Sequence, residues 1–184
     1  MLLDTLIING SVVDGTGKLR YQADVGISGK KIKVVGKSEN LSSAKVIDAT
    51  GLIIAPGFID MHTHSDLTLL DDPGGDSKIH QGVTTEVVGN CGYSPFPVGP
   101  DGHGILNRSP NENFEWNWRD LDGWASQLES QGVSMNVAPQ LGHGSIRKAA
   151  RLTEDRCPSH DELKNMRRLV EESIEQGAFS MSTG

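Results

Sequence analysis

The sequence predicts an α/β chain, with a strand-rich stretch of about fifty residues followed by parallel βα units. Three observations carry that reading. The first fifty residues hold short β-branched runs separated by Gly, Asp and Ser turns. From Leu52 onward, apolar runs alternate with helical patterns. Two histidines, His62 and His64, close the first of those apolar runs.

The elements follow in order. "TLIINGSVV" is rich in β-branched residues, and "DGTG" after it is turn chemistry. "ADVGISGKKIKVVG" predicts two strands joined by a turn at Ser28-Gly29-Lys30. "AKVIDAT" is a further short strand, stopped by Gly51. These strands suit a small sheet or sandwich. "DGTGK" is not a phosphate loop, because the glycine spacing is too short and Leu19 stands where a Ser or Thr is required.

"LIIAPGFIDM" is nearly all apolar, which suits a strand covered on both faces in a parallel sheet. "GGDSKIHQG" predicts a helical stretch and "VTTEVVG" a second strand. A Gly/Pro-rich loop then runs from Asn90 to about Asn113. "WRDLDGWASQLESQG" predicts a helix, with Leu121, Trp124 and Leu128 three and four apart. "SMNVAPQLG" is a third strand. "SHDELKNMRRLVEESIEQG" is the plainest helix: Ser159 and Glu162 have capping-box spacing, Leu163, Met166, Val170 and Ile174 form one stripe, and Gly177 ends it. "AFSMSTG" opens a fourth strand.

Composition narrows the class. The chain has 184 residues, enough for a sizeable core, and a net charge of -7 that does not suit a nucleic-acid surface. No segment is apolar for long enough to cross a membrane. "MLLDTLIING" lacks the basic lead of a signal peptide, and Asp4 interrupts its apolar run. The expectation is a cytoplasmic protein with a small-molecule partner, no nucleic acid and no membrane. In that reducing setting Cys91 and Cys157 are read as thiols, not a disulfide.

Side chains two apart on a strand share a side, so His62 and His64 project together at the C-terminal end of the apolar run. That end is where βα architectures build sites. Paired imidazoles suit zinc, and Asp60 and Asp66 flank the pair where either could orient a histidine. The plain alternative is a hydrogen-bonded strand end. His143 and Arg147, just after the third strand, could touch a substrate or order the mouth of the site. Trp116 and Trp118 are expected to pack a loop down, and His80 and His160 to be solvated. His103 is read as a surface residue of the Gly-rich loop.

"APGFIDMHTHSD" resembles the first barrel strand of the amidohydrolase superfamily. "GVTTEVVGNCGYSPFPV" is similar to the N-acyl-D-amino-acid deacylase (D-aminoacylase) family, and "NVAPQLGHGSIR" and "GAFSMSTG" look like later blocks of it in the right order. The resemblance covers essentially the whole chain. It implies a small β-sandwich joined to a (β/α)₈ TIM-type barrel. Residues 1–51 would be part of the sandwich, and residues 52–184 the first three to four βα units of an incomplete barrel. It implies zinc at the barrel mouth, held by His62, His64 and the thiolate of Cys91, which would replace the carboxylated lysine of many relatives. Cys157 matches no block of the family.

The resemblance further implies zinc-dependent hydrolysis of the amide bond of N-acyl-D-amino acids. Two more histidine ligands and an aspartate acting as general acid/base are expected beyond Gly184, so the 184 residues alone are expected to be inactive and to fold poorly. Three rivals stand beside this reading. One is a cyclic amidase of the dihydroorotase or hydantoinase kind. Another is a cysteine hydrolase with Cys91 as nucleophile and His62 as base. The last is a non-catalytic metal-binding fragment.

Overall fold

The computed structural model describes residues 2–101 and 116–184. His103 and the middle of the Gly/Pro-rich loop lie outside the described residues. The chain divides into two compact units, the first ending at Pro56 and the second running from Gly57 to Gly184.

The first unit is a five-stranded mixed sheet. β1 (Leu2–Val12), β2 (Tyr21–Ser28), β3 (Lys31–Gly36) and β4 (Ser42–Asp48) lie in the order β3-β2-β1-β4, and β5 (Ile53–Ile54) also pairs with β1. The predicted hairpin is present, with β2 and β3 antiparallel about Gly29 and Lys30. The β1 ladder shifts register between Ile7 and Gly10, where Asn9 takes a left-handed backbone with φ 63°. The bulge is tied down by two carboxylates. The Asn9 N–H donates to Asp24 at 2.9 Å, and its side-chain amide donates to Asp48 at 3.1 Å. Leu3, Leu6, Val12, Val25 and Ala49 are buried in this unit.

The second unit is built on four parallel strands in sequential order: β6 (Phe58–Asp60), β7 (Val83–Val88), β8 (Asn136–Gly142) and β9 (Ser180–Ser182). Between them run α1 (Thr68–Asp71), α2 (Asp76–Ile79), α3 (Leu121–Gln131), α4 (His143–Ala149) and α5 (His160–Glu175). Parallel neighbours need a crossover, and the helices supply it. The core between strands and helices gathers Val88, Leu141, Phe96, Trp118, Trp124, Leu128 and Met166. The Trp124 indole packs 5.7 Å from the Phe96 ring and donates to the Asp66 carbonyl. Trp118 is buried and donates to the Pro95 carbonyl at 2.8 Å, while the Trp116 ring packs against it at a tilt, 5.3 Å between centroids. The tryptophans therefore pack, as the sequence suggested.

Local signals account for the longer helices. Asp120 caps α3 by accepting from the Gly123 N–H, and the Ser159–Glu162 capping box on α5 is complete in both directions. No sequence pattern announces α1 and α4, which are too short to show a 3.6-residue period. The helical stretch around Ser77 shrinks to the single turn of α2.

One expectation is corrected. "LIIAPGFIDM" is not one strand covered on both faces. Ile53–Ile54 pair with β1, whereas Phe58–Asp60 open the parallel sheet. Pro56, which has no N–H to give a ladder, stands between them. β6 is an edge of its sheet with β7 as neighbour, so Phe58 and Ile59 remain 64% and 59% exposed. No helix among the described residues is long and apolar enough to cross a membrane.

Candidate metal centre

Because all four strands run in parallel, their C-terminal ends lie together. β6 ends at Asp60, so His62 and His64 follow just beyond the strand proper. The Thr63 N–H still reaches the Val87 carbonyl of β7 at 3.4 Å, which carries the sheet alignment one step further. The two imidazole rings consequently lie side by side, 5.5 Å apart between centroids and steeply tilted.

Cys91 arrives from the end of β7 by a different route. Its backbone is left-handed, with φ 54°, between Gly89 and Gly92, which are also at positive φ. Such a backbone is uncommon outside glycine and costs of order 1 kcal/mol or more unless its surroundings hold it. The surroundings do hold it. Gly89 passes so close to β8 that a Cβ there would sit 2.1 Å from the Gln140 carbonyl oxygen. Asn90, buried, donates from its side-chain amide to the Thr63 and Val87 carbonyls at 3.1 and 2.8 Å. Ser182 of β9 bridges the turn, donating to the Gly89 carbonyl and accepting from the Gly92 N–H.

The turn aims the half-buried thiol at the histidines. Cys91 Sγ lies 3.2 Å from His62 Nε2, and the donor atoms of His62, His64 and Cys91 all lie within 4.8 Å of one another. Both histidines are exposed at this mouth.

Among the described residues neither flanking aspartate hydrogen-bonds an imidazole; both act on backbone. Asp60 accepts from the His62 N–H at 3.2 Å and from Lys78. The Lys78 ammonium, with that N–H, holds the Asp60 carboxyl below its usual value. Asp66 is buried and accepts from the Gly89 N–H at 2.6 Å. Burial pushes its carboxyl up to about 6, against the pull of its hydrogen bonds.

His143 and Arg147 border the same end. With Cys91, Tyr93, Glu154 and Asp155 they line a cavity of about 420 Å³. The Arg147 guanidinium donates to the Glu154 and Arg156 carbonyls at 2.6 and 3.3 Å, so its donors order the wall of that cavity. His80 and His160 are exposed on helix ends, and Cys157 is exposed, as residues with no part in the cluster. Sequence reasoning singled out "GNCG" but not the work of Asn90 within it, nor Ser182 or Lys78. Their partners lie 27, 93 and 18 positions away, and no local pattern announces them.

Comparison with known proteins agrees with this layout. A profile of the amidohydrolase family matches residues 45–184. The chain is 38% identical to N-acyl-D-glutamate deacylase from Alcaligenes xylosoxydans xylosoxydans, over 99% of this chain and 37% of that enzyme. It is 35% identical to D-aminoacylase from the same organism, over 98% of this chain and 37% of that enzyme. The crystal structure of N-acyl-D-glutamate deacylase from Bordetella bronchiseptica contains zinc and a phosphonate inhibitor that mimics the tetrahedral intermediate of the reaction. It matches with a TM-score of 0.90 at 34% identity, over 100% of this chain and 39% of that one. The chain thus spans a little over a third of the length of these relatives, in their N-terminal part. Its fold is a small N-terminal sheet domain followed by the first units of a (β/α)₈ barrel, and the chain belongs to the amidohydrolase family.

Proposed function

We propose that the intact protein carrying these residues is a zinc-dependent hydrolase that cleaves the amide bond of N-acyl-D-amino acids, a carbon–nitrogen bond other than a peptide bond. The observation that carries the reading is the convergence of His62, His64 and Cys91 at the C-terminal end of the parallel strands. The likeness to two deacylases of this specificity class supports the choice of substrate.

The donor set fits zinc on chemical grounds. Two imidazoles and a thiol are nitrogen and sulfur donors of the kind zinc takes, whereas calcium and magnesium take oxygen. In this reading His62, His64 and Cys91 hold the metal, which would supply a Lewis acid to polarise the scissile carbonyl and acidify water. Asn90 and Asp66 keep the two donor segments in register through Thr63 and Gly89. His143 and Arg147 border the cavity beside Cys91, where part of the substrate would lie, with Arg147 shaping its wall. The proton that must reach the departing amine is assigned to an aspartate outside these 184 residues. A cytoplasmic location belongs to the same reading.

A second reading has one observation in its favour. A thiol 3.2 Å from an imidazole is also the geometry of a Cys–His nucleophile pair. His64 has no part in such a pair, and its place in the cluster favours the metal. The experiment is turnover of N-acetyl-D-amino acids by the intact protein, before and after treatment with a chelator. Loss of turnover on chelation and return with zinc is expected. Turnover that survives chelation but not thiol alkylation would move the assignment to the cysteine hydrolase. Hydrolysis of hydantoins or dihydroorotate, with none of N-acetyl-D-amino acids, would move it to the cyclic amidases.

A further inference from the structure

We propose that Lys78 is a positioning residue for the metal-donor segment, a half-buried cation that fixes His62 by gripping the residues on either side of it; the proposal rests on the zinc reading above. Asp60 and Glu86 are register partners on the parallel strands β6 and β7, so their side chains leave the sheet on the same face. Two carboxylates directly opposite each other repel. Glu86 is fully buried, so water does not reach its side of the pair. Its Oε2 accepts from Ser65, while its Oε1 has no hydrogen-bond partner among the described residues.

Lys78 is the cation set against this pair. Its Nζ bonds Asp60 Oδ2, reaches Thr63 Oγ1 at 3.2 Å and stands 3.9 Å from the orphan Glu86 Oε1. Asp60 and Thr63 are the residues two before and one after His62. Asp60 in turn accepts the His62 N–H, and the Thr63 carbonyl is held by Asn90 on the Cys91 turn. One ammonium therefore links both carboxylates to both peptide units that aim His62 at Cys91. It lies in a cavity of about 280 Å³ that also borders His64.

Lys78 is itself held in place. It sits on α2, whose first turn closes on Gly75 through the Lys78 and Ile79 N–H groups at 2.8 and 3.0 Å. Gly75 takes φ 56°, and a Cβ there would meet the Met135 side chain at 2.3 Å. The cation is thus fixed by backbone geometry and packing, not by its own flexible stem alone.

The test uses the intact protein and reads zinc affinity by competition with a chromophoric chelator, together with the absorption spectrum of the cobalt(II) form. Lys78→Met alone leaves the buried Glu86 and the half-buried Asp60 carboxylates unopposed and can fail to fold. The deciding variant is therefore Lys78→Met with Glu86→Gln, which restores the net charge of the native cluster. It is expected to fold and to bind zinc about 10- to 100-fold more weakly, the range typical for groups that orient a metal ligand, with an altered cobalt spectrum. Lys78→Arg, which keeps the charge, is expected to retain most of the native affinity and the native spectrum. A folded double variant with native zinc affinity and native cobalt spectrum would overturn the proposal, and so would Lys78→Arg as weak as the double variant. Absence of zinc binding by the wild-type protein would instead sink the zinc reading itself.

Discussion

The two arms of the donor cluster are built in opposite ways. His62 and His64 follow directly on the short parallel strand β6, and the Thr63 N–H, still reaching the Val87 carbonyl of β7, keeps their rings together. Cys91 sits on a turn with a left-handed backbone, held by contacts from Thr63 beyond β6 and from β7, β8 and β9. One arm continues from a strand end and is steadied by Asp60 and Lys78, and the other is held in a left-handed turn by its neighbours. It follows that the Cys91 arm is the more fragile, and that damage there should spread to the site further than damage of equal size elsewhere.

The largest expected effect comes from breaking the Cys91 arm at its tightest point. Gly89→Ala places a Cβ against backbone, at 2.1 Å from the Gln140 oxygen, at a residue with φ 80°. Neither the clash nor the conformation can be relieved by a side-chain move. A loss of about 3–5 kcal/mol is expected in denaturant melts, and a variant as stable as wild type would mean that the turn does not have this shape.

Next is Asn90→Ala, which cuts the tie between the arms. It leaves the Thr63 and Val87 carbonyls without the amide that serves them, for a loss of about 1–3 kcal/mol. Zinc binding should weaken along with stability, because Thr63 lies between the two histidines. A stability loss with native zinc affinity would show that the arms are independent.

The smallest effect serves as a control away from both arms. The Arg156 guanidinium, helped by the Ser159 N–H, holds the half-buried Glu162 carboxyl down at about 2. That is below the unfolded value of about 4.3. The ionised group therefore stabilises the fold above that value, and the contribution is lost as pH falls toward 2. Glu162→Gln should lower the melting temperature slightly at pH 7, with the difference closing across that acid window. Zinc affinity should not move. A shift in zinc affinity as large as that of Asn90→Ala would break the distinction between the site and the rest of the unit.

The same contrast explains what could be read in the sequence. The histidine arm follows from a period of two and an apolar run, both visible in twelve residues. Helix α5 was visible through its cap and stripe, and α3 through its leucine and tryptophan spacing. The Cys91 arm was not readable from pattern. Nothing in "GNCG" states a left-handed cysteine, and only likeness to a family pointed to it. Lys78 was invisible for another reason. A lysine in "GGDSKIHQG" looks like any solvated helix residue until the fold sets it between Asp60 and Glu86. The break at Pro56 was misjudged because apolar composition does not tell which sheet a strand will join.

The central claim is that both arms close on one metal. X-ray absorption at the zinc edge of the intact, zinc-loaded protein tests it most directly. The expected result is one sulfur neighbour at about 2.3 Å beside nitrogen neighbours at about 2.0–2.1 Å, with the sulfur lost in Cys91→Ser and nitrogen neighbours lost in the His62→Ala, His64→Ala double variant. A spectrum with nitrogen and oxygen neighbours only, unchanged by Cys91→Ser, would contradict it.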